Sequence, residues 1–443
     1  MKTSYLLFSI VASYSLFASP FSASGQDTPP PAVTAAQVPS AIVQANTQFA
    51  LDLFHQISAP STKNTFFSPY SISTALAMTW AGARGNTAAE IAKVFHFPDV
   101  ADGKITADFN LLQQLLATAK ANTGIQLSVA NSLWPEQNPE APFLPEYLKL
   151  CQADFASEIT PVDFKNHADA AAAQINQWVE DKTNNKIKNL IHPGDFDPLT
   201  RLVLVNAIYF KGSWSSPFMV RATKMAPFNL TDGTSKSVPL MRKIITENSQ
   251  SAYADIVGGP APCQILEMPY SEFGPSNFEP PTSKPMLSMV IVLPHDIADL
   301  GQLEKSLTAS ELTGWLGQLK PDRVEVFLPK FHIEHRFQLA DTLKALGVKD
   351  AFAYGPADFS GMNNSHELYI SNVIHQAFVD VDEKGTEAAA ATAVFMGGGG
   401  APQKPSLVFR ADHPFLFFIR ERTTGSILFM GRMADPTDTS LSE

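Results

Sequence analysis

The chain has 443 residues, 45% of them apolar and 17% charged, which is enough hydrophobic side chain for a large core and excludes a mostly disordered chain. Its 32 basic and 43 acidic residues leave a net charge of −11, a poor basis for nucleic-acid binding, which needs clustered Lys and Arg. Two cysteines exclude a disulfide-dense scaffold and a zinc site made of paired Cys-x-x-Cys motifs.

The first 24 residues have the form of a secretory signal peptide: Lys2, a short apolar run from Tyr5 to Phe17, then small residues at Ser22, Ala23 and Ser24. The run is too short and too rich in Ser for a span of about 20 residues. The expected location is therefore extracellular, or periplasmic in a Gram-negative bacterium, with no membrane attachment. Residues 25–37 carry Pro29-Pro30-Pro31 and read as a disordered leader. Asn229-Leu-Thr231 and Asn363-Asn-Ser365 are glycosylation sequons in form.

A length prior of roughly 150 residues per domain suggests two or three domains. No second linker and no repeat interrupts the chain, so one large domain is expected instead. Phe49, Leu53, Phe54 and Ile57 keep helical spacing, as do Ile72, Ala75, Leu76 and Trp80. Thr87-Ala-Ala-Glu90 predicts a capping box at the start of a helix. Ile175, Trp178 and Val179 mark a further helix. From about residue 200, strands dominate: Leu202 to Phe210, Met289 to Leu293, Arg323 to Leu328 and Leu368 to Val381. Leu339, Leu343 and Leu346 line one intervening helix, closed by Gly347. Phe415 to Ile419 and Ile427 to Met430 flank Thr423-Thr424-Gly425 as a hairpin. Helices first and strands later predict an α+β fold.

Enzyme motifs are missing: there is no Gly-x-Ser-x-Gly elbow, no His-Glu-x-x-His helix and no phosphate loop. His332 and His335, on a strand, would face opposite sides and cannot share a metal. No metal site and no cofactor is implied. The unusual segment is 381–414. Its alanine run, Ala388, Ala389, Ala390 and Ala391, favours helix by propensity. Read as a strand instead, Thr386, Ala388, Ala390, Thr392 and Val394 form a small, uncharged face, with Glu387 on the other. Such a strand could slide between two others, hinged at Gly385, with an exposed and easily cut Gly- and Pro-rich stretch beyond it.

That segment resembles the hinge and reactive-centre loop of serpins, the serine protease inhibitors. Phe66-Phe-Ser-Pro-Tyr-Ser-Ile-Ser-Thr-Ala75, Trp178-Val-Glu-Asp-Lys-Thr-Asn184 and Asn206-Ala-Ile-Tyr-Phe-Lys-Gly-Ser-Trp214 match family motifs. So do Leu328-Pro-Lys-Phe331, Leu346-Gly-Val348, Asp382-Glu-Lys-Gly-Thr-Glu387 and His413-Pro-Phe-Leu416, in order along the chain. The resemblance implies a single domain over residues 38–436 with three β-sheets, eight or nine helices and a loop at about 383–409, followed by a tail at 437–443. It implies a single-use inhibitor, not an enzyme, that traps a serine protease, with cysteine proteases as a further class.

By the same resemblance, Glu383, Gly385, Thr386, Glu387 and Ala388 to Ala391 form the loop hinge. Ser68, Ser71, Asn206 and His375 form a shutter beneath the place where the central sheet opens. Trp214 and Lys330 mark the breach, where insertion begins, with Lys330 paired to Glu383. Counting from the hinge places the attacked bond at Gly399-Gly400; counting back from Pro414 places it near Gln403-Lys404, and Met396 is a third candidate. Small residues there suit an elastase-like or subtilisin-like protease, and Lys404 a trypsin-like one. A monomer is expected, with no heparin-type cofactor, because Lys120 is the only basic residue in 107–121. The alternative is a non-inhibitory member acting as a binding or storage protein.

Overall fold

The computed structural model describes residues 33–58, 62–98, 103–121, 125–259, 261–270, 286–386 and 406–439. The signal-peptide reading, the alanine run with Glu387, and every candidate bond from Met396 to Lys404 lie outside them.

Chain order is as follows. Helix α1 (Ser40–Ser58) precedes β1 (Thr65–Phe67), α2 (Pro69–Gly82), α3 (Gly85–Val94) and α4 (Ile105–Ala121). Then come β2 (Ile125–Pro135), α5 (Pro145–Phe155), α6 (Phe164–Lys182) and β3 (Leu202–Ser213). Strands β4 (Lys224–Asn229), β5 (Ser235–Ile245), β6 (Ala252–Ile256), β7 (Cys263–Pro269) and β8 (Leu287–Pro294) follow. After α7 (Leu300–Ser306) and α8 (Ala309–Leu316) lie β9 (Val324–Pro329), β10 (Phe331–Gln338) and α9 (Ala340–Leu346). The chain closes with β11 (Ile370–Val381), β12 (Gly385–Thr386), β13 (Leu407–Arg410), β14 (Phe415–Glu421) and β15 (Ile427–Met433).

These strands make three sheets. The central one runs β10-β11-β12-β3-β2, a six-stranded one β1-β15-β14-β8-β7-β6, and a four-stranded one β13-β9-β5-β4. Helix α2 packs between the first two, touching β2 and β3 on one side and β15 on the other. Its apolar residues are spread all round and nearly all are buried, as expected of a core helix rather than a surface one. Pro69 opens it at the position where a missing N–H costs nothing, and the Ser68 hydroxyl caps it by accepting from the Ser71 N–H. On the opposite face of the central sheet, Ile175 and Val179 of α6 bury Val203, Val205 and Ile374.

Three expectations need correction. Helix α3 starts at Gly85, so Thr87 lies inside it and is no cap. The Thr87 hydroxyl accepts from the Asp358 N–H, and the Glu90 carboxylate accepts from the Lys349 and Asp350 N–H groups. Long-range partners thus take both side chains the local motif would have used. The early part of the chain is not purely helical either, since β2 is an eleven-residue strand. And the end of the stretch read as leader is ordered: Val33 and Ala35 pack on the core, and Ala35–Gln37 form a capped 3-10 turn.

Candidate functional site

In the middle of the central sheet the parallel strands β11 and β3 are paired directly, from Ile370 with Leu202 to Phe378 with Tyr209. Above that point they part. Strand β12 fills the gap, antiparallel to both: Thr386 faces Val381 on one side and Gly212 on the other. A wedge two residues long therefore already sits between two strands that are joined below it.

Local chemistry holds the wedge. Asp382 folds the turn before it: its carboxylate accepts from the Lys384 and Gly385 N–H groups, and its own N–H donates to the Gly385 carbonyl. Gly385 passes so close to β3 that a Cβ there would overlap the Gly212 carbonyl and the Ser213 Cα. Thr386 is fully buried and shares a 2.8 Å hydrogen bond with the Tyr270 hydroxyl. Trp214 stacks on Tyr270 with ring centroids 4.7 Å apart, and its indole N–H donates to the Asp382 carbonyl at 3.0 Å. Backbone N–H groups of Trp214 and Phe218 bind the carbonyls of Lys384 and Glu383.

Glu383, only 5% exposed, pairs with Lys330 at 2.9 Å and accepts from the Thr223 hydroxyl at 2.7 Å. Burial pushes its pKa up, but Lys330 and Thr223 together outweigh that and hold the carboxyl below its ordinary range. The sequence thus located Trp214, Lys330, Glu383, Gly385 and Thr386 at one place, and missed Tyr270 and Thr223. Neither has a sequence signal of its own; both are recruited by long-range packing.

The four residues expected to form a shutter, Ser68, Ser71, Asn206 and His375, lie together as well. His375 of β11 and Asn206 of β3 stand opposite each other in the pairing, and Asn131 of β2 stands opposite Asn206. One row thus crosses three strands on the side facing α2. The Ser68 backbone N–H can only donate, and it donates to His375 Nε2 at 3.1 Å. His375 therefore carries its proton on Nδ1 and gives it to Asn206 Oδ1. The Asn206 amide donates to the Ser71 hydroxyl and to Asn131 Oδ1, and Ser71 donates to Asn131 as well. Ser68 donates to the Leu428 carbonyl at 2.6 Å. Burial drives the His375 pKa down to about 3, with His335 adding to the effect and the Asn206 bond opposing it.

Asn131 is the member that sequence reasoning missed. The alternation of Ile125, Leu127, Val129 and Leu133 would have revealed its strand, with Asn131 as the polar interruption on the same face.

Several further groups can be placed. His332 and His335 alternate along β10, with His335 buried. Cys151 and Cys263 are both buried free thiols, each pushed up to about 12 by burial first of all. Asn229 is exposed, its amide donating to the Asp412 carbonyl at 3.4 Å, whereas Asn363 is buried and folds its side chain onto Ser365. No described helix is long and apolar enough to cross a membrane, and no metal-binding cluster occurs among the described residues.

Comparison with known proteins agrees with this geometry. Residues 44–436 match the family described as serpin (serine protease inhibitor). Leukocyte elastase inhibitor A of Rattus norvegicus is 41% identical over 88% of this chain and 98% of its own length. The leukocyte elastase inhibitor of Homo sapiens is 41% identical with the same coverage. Among solved structures, Serpin48 of the insect Tenebrio molitor is similar at a TM-score of 0.76 and 30% identity, covering 90% of this chain and 99% of that one.

Proposed function

We propose, from the premise that this chain belongs to the serpin family, that it is a secreted, single-use inhibitor of a serine protease. The observation that supports this most is the wedge of β12 between β11 and β3. A strand already started in that gap can be continued downward in the same register if the strands below it part.

The chemistry runs as follows. The protease serine oxygen attacks the carbonyl carbon on the N-terminal side of a bond in the 387–405 segment. The peptide bond breaks, and the leaving amine takes a proton and becomes the new N-terminus of the downstream piece. That piece stays attached, because β13 is bound to β9 in the four-stranded sheet. An ester now joins the upstream piece to the protease. The freed upstream piece zips into the central sheet from Thr386, carrying the protease with it before water cleaves the ester.

The shutter is where this insertion meets resistance, since it must break the bond between His375 and Asn206. The small residues Ala388 and Ala390 follow Thr386 on the face turned to the core, so their entry carries no charge with it. The names of the relatives favour an elastase-like target, in keeping with Gly399-Gly400, with subtilisin-like and trypsin-like proteases next. Secretion rests on the first 24 residues.

Incubation with pancreatic elastase, subtilisin and trypsin, followed by denaturing gels, tests this function. A denaturant-resistant band at the summed mass, with matching loss of protease activity, is expected for at least one enzyme. Cleavage without any such band, and full activity of all three enzymes, overturns it.

A further inference from the structure

A cavity that shares no lining residue with the wedge opens where the end of α1, helix α7, the β4–β5 turn and strand β15 come together. It holds about 690 Å³. Small-molecule sites span roughly 300–1,000 Å³. A buried ion pair lines it. Both oxygens of Glu304 accept from one Arg432 nitrogen, at 3.0 and 3.2 Å, with the two side chains 15% and 3% exposed. Arg432 Nε donates to the Lys63 carbonyl at 2.9 Å. Burial raises the Glu304 carboxyl above its ordinary range, with Arg432 pulling the other way, which marks this end of the cavity as poorly hydrated. Each of the two charges is thus answered by the other inside the protein.

The other polar groups on the cavity wall have no such answer. His55 Nε2 lies 2.8 Å from the Glu304 carbonyl and must donate to it, since a carbonyl only accepts. That leaves His55 Nδ1 without a partner among the described residues, and the hydroxyls of Ser58, Thr62 and Thr231 have none there either. Ser58 is only 6% exposed, and a polar group so deeply buried is nearly always hydrogen-bonded. Its hydroxyl, open to the cavity, points to a guest. We propose that this cavity is a binding site for an uncharged saccharide of one or two rings. The site stands whether or not the chain traps a protease.

The chemistry of the wall selects that guest. Three hydroxyls can each donate and accept, while Glu304 and the open imidazole nitrogen call for donors. A molecule covered in hydroxyl groups answers all of them at once. A carboxylate or phosphate would meet Glu304, and an amine would meet Arg432 and Lys305, so charge disfavours both. Ile297 and Leu300 add an apolar wall suited to the C–H face of a sugar ring. Gly301 of α7 gives the means to close the site. It lines the cavity, and a Cβ built there meets nothing within 4 Å, so a large side chain at this position enters the cavity rather than the core.

Isothermal titration of the full chain with glucose, galactose, mannose, N-acetylglucosamine, maltose, lactose and trehalose tests this. Saturable one-to-one binding of at least one sugar is expected, with a dissociation constant of about 1 mM or below. Gly301→Trp should abolish it, and Ser58→Ala combined with Thr231→Val should weaken it about tenfold or more. Without sugar, both variants should unfold within about 3 °C of the unmodified chain, which shows that they fold. With sugar, the unfolding midpoint should rise for the unmodified chain and not for Gly301→Trp. An equal rise in both reports exclusion of sugar from the protein surface and overturns the proposal. No saturable binding up to about 50 mM leaves the cavity to water and also overturns it. So does binding that survives both variants, or binding of acetate or methylamine in place of every sugar. Coupling the bound sugar to a carrier protein then separates two sources: retained binding assigns the site to the end of a glycan, and lost binding to a free sugar, each in keeping with the proposal.

Discussion

His375 and His335 illustrate how much a buried row of side chains asks of single residues. Both are neutral in the fold, depressed to about 3 and about 4 from an ordinary 6.5. Above pH 6.5 neither folded nor unfolded chain holds the extra protons, so the two histidines cost nothing. As pH falls below 6.5 the unfolded chain takes up protons that the fold refuses, and stability drops by up to about 1.4 kcal/mol per pH unit for each. That loss continues until pH reaches the folded values. His335→Phe, which keeps a ring to stack on Phe337, is expected to flatten the stability profile between pH 7 and 5 by about 1 kcal/mol per unit. Urea unfolding of both chains across that range checks it, and equal slopes would count against it. Asn131 is the second test at this scale. Asn131→Ala strips an acceptor from both Ser71 and Asn206 in a buried site, so a loss of about 1–3 kcal/mol is expected in the same assay.

At the scale of elements, the central feature is the two-residue strand β12. Thr386 is enclosed by Tyr270, β11 and β3, so Thr386→Arg would have to bury an unpaired guanidinium. That variant is expected to be cut by a trapped protease of the panel while forming little denaturant-resistant complex, turning inhibitor into substrate. Unchanged trapping in the gel assay would argue against entry through this gap. Much of this region was legible in the sequence, since Gly385, Thr386, Trp214, Ser68, Ser71, Asn206 and His375 sit in long motifs. What escaped was decided by distant contacts. The Thr87–Glu90 pattern suggested a cap, but Asp358, Lys349 and Asp350 claim both side chains. Strand β2 alternates well enough to be found, yet its position after four helices hid it, and Asn131 went with it.

Over the whole molecule, one large domain replaces the two or three that length alone suggested. The proposed insertion requires long paired strands with a core on both faces, and β11 and β3 are twelve residues each. Cys151 and Cys263, both buried and free, place no cross-link across it. The direct pairing of β11 with β3 identifies the described state as one whose seam is closed below the wedge. The most direct measurement is the thermal unfolding midpoint before and after a single cut within residues 387–405, with the cut located by mass spectrometry. A higher midpoint after cleavage is expected, because the freed segment continues β12 down the seam and adds a strand bonded on both edges. An unchanged or lower midpoint would contradict insertion between β11 and β3.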